Sequence, residues 1–132
     1  MKCADRNGRL AAERRGRRGE LLASILLMLK GYRILGRRVR SRFGEIDLIA
    51  RSPSGILCFI EVKARTGGET ALDSVRVHQQ MRIGRAAELY LAQRPTLAVK
   101  GVRFDVVTVA TGRLPQHLPA AWHPEDWGST RP

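Results

Sequence analysis

Aromatic residues make up only 5% of the 132-residue chain, too few for a surface that binds single-stranded nucleic acid by stacking successive bases on rings. Two cysteines, Cys3 and Cys58, do not make a disulfide framework. Neither they nor the scattered His78, His117 and His123 stand at zinc-ligand spacing. Cys58 lies in an apolar run and reads as a small buried hydrophobe. The most apolar stretch, LLASILLMLKGY at 21–32, is far short of a membrane span. The basic start is not followed by the apolar core and small-residue cleavage site of a secretory signal. Together these absences lead us to expect a cytoplasmic protein with no membrane partner.

Acid is also in short supply: 12 Asp and Glu stand against 24 Lys and Arg, for a formal charge of +12. A small domain with this imbalance suits a polyanionic partner, nucleic acid first, although an arginine-rich composition can also follow from GC-rich coding. The length is that of one domain over 1–132, and 43% hydrophobic residues provide for a core. Residues 1–10 are expected to be flexible and 124–132 to form a loose tail.

From about Ala11 to Lys30 the pattern is helical. Leu22, Ile25, Leu26 and Leu29 form one apolar stripe of the kind that packs on a core, and Gly31 is the stop. YRILGRRVR reads as a strand with a bulge at Gly36. GEIDLIA and ILCFIEVK read as two strands joined by the turn RSPSG. After the link TGGET, residues from about Ser74 to Gln93 are helical, with Ile83, Ala86, Ala87, Tyr90 and Leu91 inward; Pro95 ends the helix. VRFDVVTV is a central strand, followed by a short packed segment around Leu118 to Trp122. The order α-β-β-β-α-β gives an α/β class, a mixed sheet flanked by helices.

Two of these strands carry acids that an apolar strand should not. Alternation puts Glu45, Asp47 and Ile49 on one face of the first, and Glu61 and Lys63 on one face of the second with Leu57 and Phe59. Buried acids are costly unless paired or metal-bound. Asp47, thirteen intervening residues, then Glu61-Val62-Lys63 is the spacing of a metal-dependent phosphodiester hydrolase. Mg²⁺ or Mn²⁺ would supply a hydroxide near neutral pH and a sink for phosphorane charge, and such hard ions take oxygen ligands. Asp47, Glu61 and the Val62 carbonyl would be the ligands, with Lys63 on the attacking water or the transition state. The plainer alternative is an ion-pair cluster of these acids with Lys63 or a nearby arginine.

GEIDLIA and FIEVKAR, preceded by RRGELLA and GYRIL and followed by RAAELYL, RFDVV and HLPAAW, resemble the YraN family of bacterial proteins from about Arg17 to Trp122. That family is similar to the PD-(D/E)xK superfamily, with a restriction-endonuclease-like or Holliday-junction-resolvase-like fold. The resemblance implies catalytic Asp47, Glu61 and Lys63 and adds Glu20, in RRGELLA, as a further metal ligand; the residues alone allow a surface charge there equally. Glu45 reads as solvated or as supporting the ligands. The chain departs from the family at Arg38, where Asn is frequent, and at Gln79, where Lys is frequent. Related resolvases act as dimers, so the resemblance also raises a homodimer.

The basic runs at 14–18 and 37–42 flank the site in sequence. Arg14, Arg15, Arg17, Arg18, Arg37, Arg38, Arg40, Arg42 and Arg65 are the candidate phosphate contacts. Duplex or branched DNA is favoured over single strands. Three functions follow: a Mg²⁺- or Mn²⁺-dependent DNA endonuclease; a DNA-binding module that keeps the fold without turnover, in repair, recombination or uptake; and an interaction adaptor whose charge is incidental.

Overall fold

The computed structural model describes residues 17–64 and 77–123. Expectations for 1–16, the TGGET link and 124–132 fall outside the described residues. Helix α1 covers 17–29; β1 is Arg33–Ser41, β2 Gly44–Arg51, β3 Leu57–Ala64, α2 Val77–Gln93, β4 Val102–Val109 and β5 Gln116–Trp122. A short 3₁₀ turn, Pro95–Ala98, follows α2. The strands form one mixed sheet in the order β1-β2-β3-β4-β5. Only β3 and β4 run parallel, and α2 lies between them in the chain.

The helices cover opposite faces. Ile83, Ala86 and Ala87 of α2 join Ile46, Ile49, Leu57, Phe59, Phe104, Val106 and Trp122, with Tyr90 and Leu91 packed alongside. Ala23 and Leu27 of α1 join Leu48, Ala50, Cys58, Ile60 and Val107. Strand β3 is thus buried on both sides, which explains its unbroken apolar run. Cys58 is fully buried, and burial pushes its thiol up to about 11.

Several local expectations hold. Helix α1 stops at Gly31 (φ +88), where the Tyr32 N–H bonds the Leu27 carbonyl at 2.9 Å and the Gly31 N–H bonds that of Met28 at 3.0 Å. The register of β1 on β2 shifts between Ile34 and Gly36, the expected bulge.

The apolar stripe of α1 is corrected. Leu22, Ile25 and Leu29 point outward, and the buried side is Gly19, Ala23, Ser24 and Leu27. Small residues let the helix lie close to the sheet: a Cβ at Gly19 would fall 2.9 Å from Val109 Cγ2. Leucines at those positions would hold the two apart. The expected packed segment around Leu118 to Trp122 is a fifth strand. As the edge of the sheet, β5 tolerates Pro119, and Trp122 stacks on Phe104 with ring centroids 4.2 Å apart.

A buried polar cluster fastens β5. Asp105 of β4, wholly inaccessible, takes Arg103 Nε at 2.8 Å and Arg103 Nη2 at 2.9 Å. It also accepts His117 Nε2–H at 2.8 Å and the Ala120 N–H at 2.9 Å. Lys30 meets the other ring nitrogen of His117, and Arg103 donates to the Tyr32 hydroxyl. Burial alone would raise the Asp105 carboxyl, but the hydrogen bonds from His117, Arg103 and Ala120 outweigh it and hold the group below the usual carboxylate range. A depressed carboxyl stabilises the fold above its ordinary titration range, and that contribution fades as pH falls through the lowered value. Asp105→Asn leaves the half-buried Arg103 beside a neutral amide and is expected to cost about 3 kcal/mol in urea unfolding at neutral pH. The deficit should narrow on titration toward pH 2.

Candidate metal site at the fork between two strands

The registered pairs of β2 and β3 run from Arg51↔Leu57 to Leu48↔Ile60 and stop there. The next available donor on β3, the Val62 N–H, bonds Asp47 Oδ2 at 2.8 Å. A side chain has taken the place of a backbone acceptor. On either side the sheet continues, β1 with β2 to Ser41↔Gly44 and β3 with β4 to Ala64↔Val109. The sheet therefore forks at Asp47. Alternation breaks at the same place: Ile46 and Ile49, three residues apart, both enter the α2 core, whereas Leu48 and Ala50 enter the α1 core. The expectation that Ile49 shares a face with Glu45 and Asp47 is corrected by this break.

Asp47 stands between two sets of acids. On the α1 side, carboxylate oxygens of Glu20, Glu45 and Asp47 all lie within 4.8 Å of one another. On the α2 side lies Glu61, 8% exposed, to which a protonated Asp47 can hydrogen-bond. Lys63 Nζ is 3.3 Å from Glu61 Oε1, and Gln79 Nε2 of α2 donates to the same oxygen at 3.2 Å. Gly44 (φ +121) has no side chain to block Arg82, whose Cδ would sit 2.9 Å from a Cβ there; the Arg82 charge acts on Glu61.

These cations do not hold Asp47 in its charged form. Burial and the neighbouring Glu61 charge push the Asp47 carboxyl up to about 7, against the pull of the Val62 N–H. Burial raises Glu61 as well, opposed by Lys63. A half-buried and a buried acid, both raised by burial and built wholly of hard oxygen donors, fit a divalent cation such as Mg²⁺ or Mn²⁺. Val62 is tied to Asp47 through its N–H; its carbonyl enters only as a further oxygen.

The structure brings Asp47, Glu61, Lys63, Glu20 and Glu45 to one end of the sheet. Glu20 faces Asp47 and is not a remote surface charge. Gln79 and Arg38 also land on the acids, Gln79 on Glu61, and Arg38 on Glu20 with Nε–Oε2 2.6 Å. Arg38 has φ +49, outside the usual range for a side-chain-bearing residue. Arg40 pairs with Glu45 at 3.2 Å. Two expected phosphate contacts are thus committed to carboxylates here. Arg17, Arg18, Arg37 and Arg42 are exposed, while Arg14, Arg15 and Arg65 lie outside the described residues. Sequence reading missed Arg82 as a neighbour of Glu61. Helical spacing from Gln79 is its only signal, because i and i+3 share a face.

A five-stranded mixed sheet with a helix on each face, forked at an acid-acid-lysine cluster, is an α/β architecture consistent with a nuclease-like fold. Residues 19–109 match the family described as "Uncharacterised protein family UPF0102", and the chain belongs to that family. A UPF0102 protein of Agrobacterium fabrum is 51% identical over 112 residues, covering 85% of this chain and 91% of its own length. One from Paramagnetospirillum magneticum is 48% identical over 116 residues, 85% of this chain and 89% of its own. One from Maricaulis maris is 50% identical over 118 residues, 89% of this chain and 92% of its own. Among the described residues no helix is long and apolar enough to cross a membrane.

The raised Asp47 carboxyl sets the sign of a pH effect. Between its ordinary 3.8 and about 7 the folded protein holds a proton that the unfolded chain has lost, so stability falls as pH rises through that window. Thermal melting should show a lower midpoint at pH 8 than at pH 5. Asp47→Asn should flatten the slope, and Mn²⁺ should restore the midpoint at pH 8 in the parent protein but not in the variant. A parent curve that is flat over this range would contradict the assignment.

Proposed function

We propose that this protein is a divalent-metal-dependent endonuclease acting on DNA. The observation that carries the reading is the Asp47–Glu61 pair: two acids held together in a strand fork, both pushed toward the neutral form, with a lysine beside one of them. A bound Mg²⁺ or Mn²⁺ would supply Lewis acidity and a hydroxide near neutral pH. The chain itself does the rest. Asp47 and Glu61 would hold the ion, with the Val62 carbonyl, and Glu20 from the other side of Asp47, as further oxygens. The Val62 N–H fixes the Asp47 carboxylate, and Gln79 fixes Glu61, so both ligands are oriented before the ion arrives. Lys63 places a cation at the mouth of the pair, where it can orient the attacking water and offset charge on the phosphate. Exposed Arg17, Arg18, Arg37 and Arg42 would bind the backbone of duplex or branched DNA without reading bases.

A second reading keeps binding and drops turnover: a DNA-binding module of the same fold. What favours it is the occupation of Glu20 by Arg38. Incubation of labelled linear duplex, flap, four-way junction and single strand with Mn²⁺ or Mg²⁺ separates the two. The nuclease reading expects cleavage that Asp47→Asn abolishes and Lys63→Ala slows by about 10²–10³-fold. Both variants should keep salt-sensitive binding in Ca²⁺. Binding without cleavage on every substrate, or equal cleavage by parent and variants, would leave the module reading in its place.

A further inference from the structure

On the α1 side of the fork the nearest arginines are committed: Arg38 holds Glu20 and Arg40 holds Glu45. The α2 side differs. Arg42, Arg82 and Arg85 are exposed, and among the described residues none of the three makes an ion pair. They also lie together. Arg42 and Phe43, in the turn between β1 and β2, line one groove of about 500 Å³ with Arg85, Glu88 and Leu89 of α2. Arg82 lies across Gly44, at the start of β2, where a Cβ would fall 3.0 Å from its Nε, and its charge reaches Glu61.

We propose that this groove carries the phosphate backbone of one DNA strand past the fork, with Arg82, Arg85 and Arg42 as its contacts. The row begins at the acids. Gln79 touches Glu61, and the residues three and six further along α2 are Arg82 and Arg85, so the helix leads from the fork to the β1–β2 turn. From Gln79 to Arg85 is about 9 Å of helix axis at 1.5 Å per residue, the length of roughly two or three nucleotides at about 3.4 Å each along a strand. A guanidinium takes a phosphate through two parallel N–H bonds, which an ammonium cannot do. Arg42 is set for this contact: its guanidinium carbon lies 5.0 Å from the centroid of the Phe43 ring, which supports the plane of donors.

Glu88 limits the track. It is exposed on the same groove, makes no ion pair among the described residues, and would repel a phosphate brought beside it. The backbone is therefore held between the fork and the Arg42–Arg85 pair and leaves the surface there. Continuity with the acids selects the kind of polyanion. A DNA strand in this groove delivers a phosphodiester to the fork, whereas an acidic peptide would bring further carboxylates to acids already short of donors. Arg82 and Arg85 lie outside both basic runs of the sequence, because a helix lines up charges that the chain spaces apart. The groove rests on the DNA-binding reading, which the nuclease and the binding module share, and is independent of turnover.

Fluorescence anisotropy of a labelled DNA duplex, with the full chain in Ca²⁺ across a NaCl series, tests the groove. The slope of log K against log[NaCl] should become shallower by roughly 0.9 for each arginine removed, hence by about 1.8 in the double variant Arg82→Ala/Arg85→Ala, with binding at least about 10-fold weaker. Its circular dichroism spectrum and melting midpoint should not change, since both side chains are exposed and alanine suits a helix. Lysine at both positions should recover the slope, and Glu88→Gln should tighten binding about 3-fold. Lys100→Ala, which removes one charge at the opposite end of the sheet, should keep the parent slope. A double variant with the parent's slope would overturn the proposal and leave DNA binding to other arginines. So would a Lys100→Ala that loses as much as Arg82→Ala, or tighter binding to polyglutamate than to duplex that the double variant also loses. A parent that binds no duplex would remove the DNA reading along with the groove. Asp47→Asn should keep the full slope, so failure of the nuclease reading and failure of this groove give different results.

Discussion

One hydrogen bond organises the site: the Val62 N–H given to the Asp47 carboxylate and not to a backbone carbonyl of β2. It ends the β2–β3 ladder at Leu48↔Ile60 without orphaning the donor, which in a buried strand would be costly. The strands can then part, and the gap is where Asp47 meets Glu61 on one side and Glu20 and Glu45 on the other. Each acid comes from an element that the core fixes elsewhere. Ala23 and Leu27 anchor the helix of Glu20, Leu48 and Ala50 the strand of Asp47, and Phe59 and Ile60 the strand of Glu61. The apolar layers make the fork rigid, and rigidity lets like charges stay close.

Asp105 is a useful contrast, because it pairs in register with Ile60, one residue from Glu61. It is more deeply buried than Asp47, yet its carboxyl titrates lower than an ordinary aspartate and that of Asp47 titrates higher. The difference is the number of donors. Asp105 has two arginine nitrogens, an imidazole and a backbone amide. Asp47 has one amide and faces other carboxylates. The first acid is complete and closes the edge strand onto the sheet. The second is short of donors, and that shortage motivates the cation in our proposal.

Much of the fold was legible because burial writes itself into apolar spacing: both central strands, the α2 inner face and the Gly31 stop. The acids were legible for the opposite reason, as violations of that pattern at Asp47 and Glu61. What misled was α1. Its leucines carry the stronger periodicity, but contact with the sheet favours Gly19, Ala23 and Ser24, whose small size does not register on a hydropathy scale. β5 was hidden by Pro119, which only an edge strand accepts. The Arg103–Asp105–His117 cluster was out of reach, since it joins residues that become neighbours only once β5 pairs with β4. Arg38 and Gln79 stood out in sequence as departures, but only the structure shows that each touches an acid.

The most direct test of the site is anomalous diffraction from crystals grown with Mn²⁺ near pH 8. We expect a manganese peak within about 2.1–2.2 Å of carboxylate oxygens from both Asp47 and Glu61, with Arg38 drawn off Glu20 if that carboxylate joins the ion. An empty fork, with Lys63 and Gln79 still on Glu61 at millimolar Mn²⁺, would contradict the metal site and leave the acids as an ion-pair cluster.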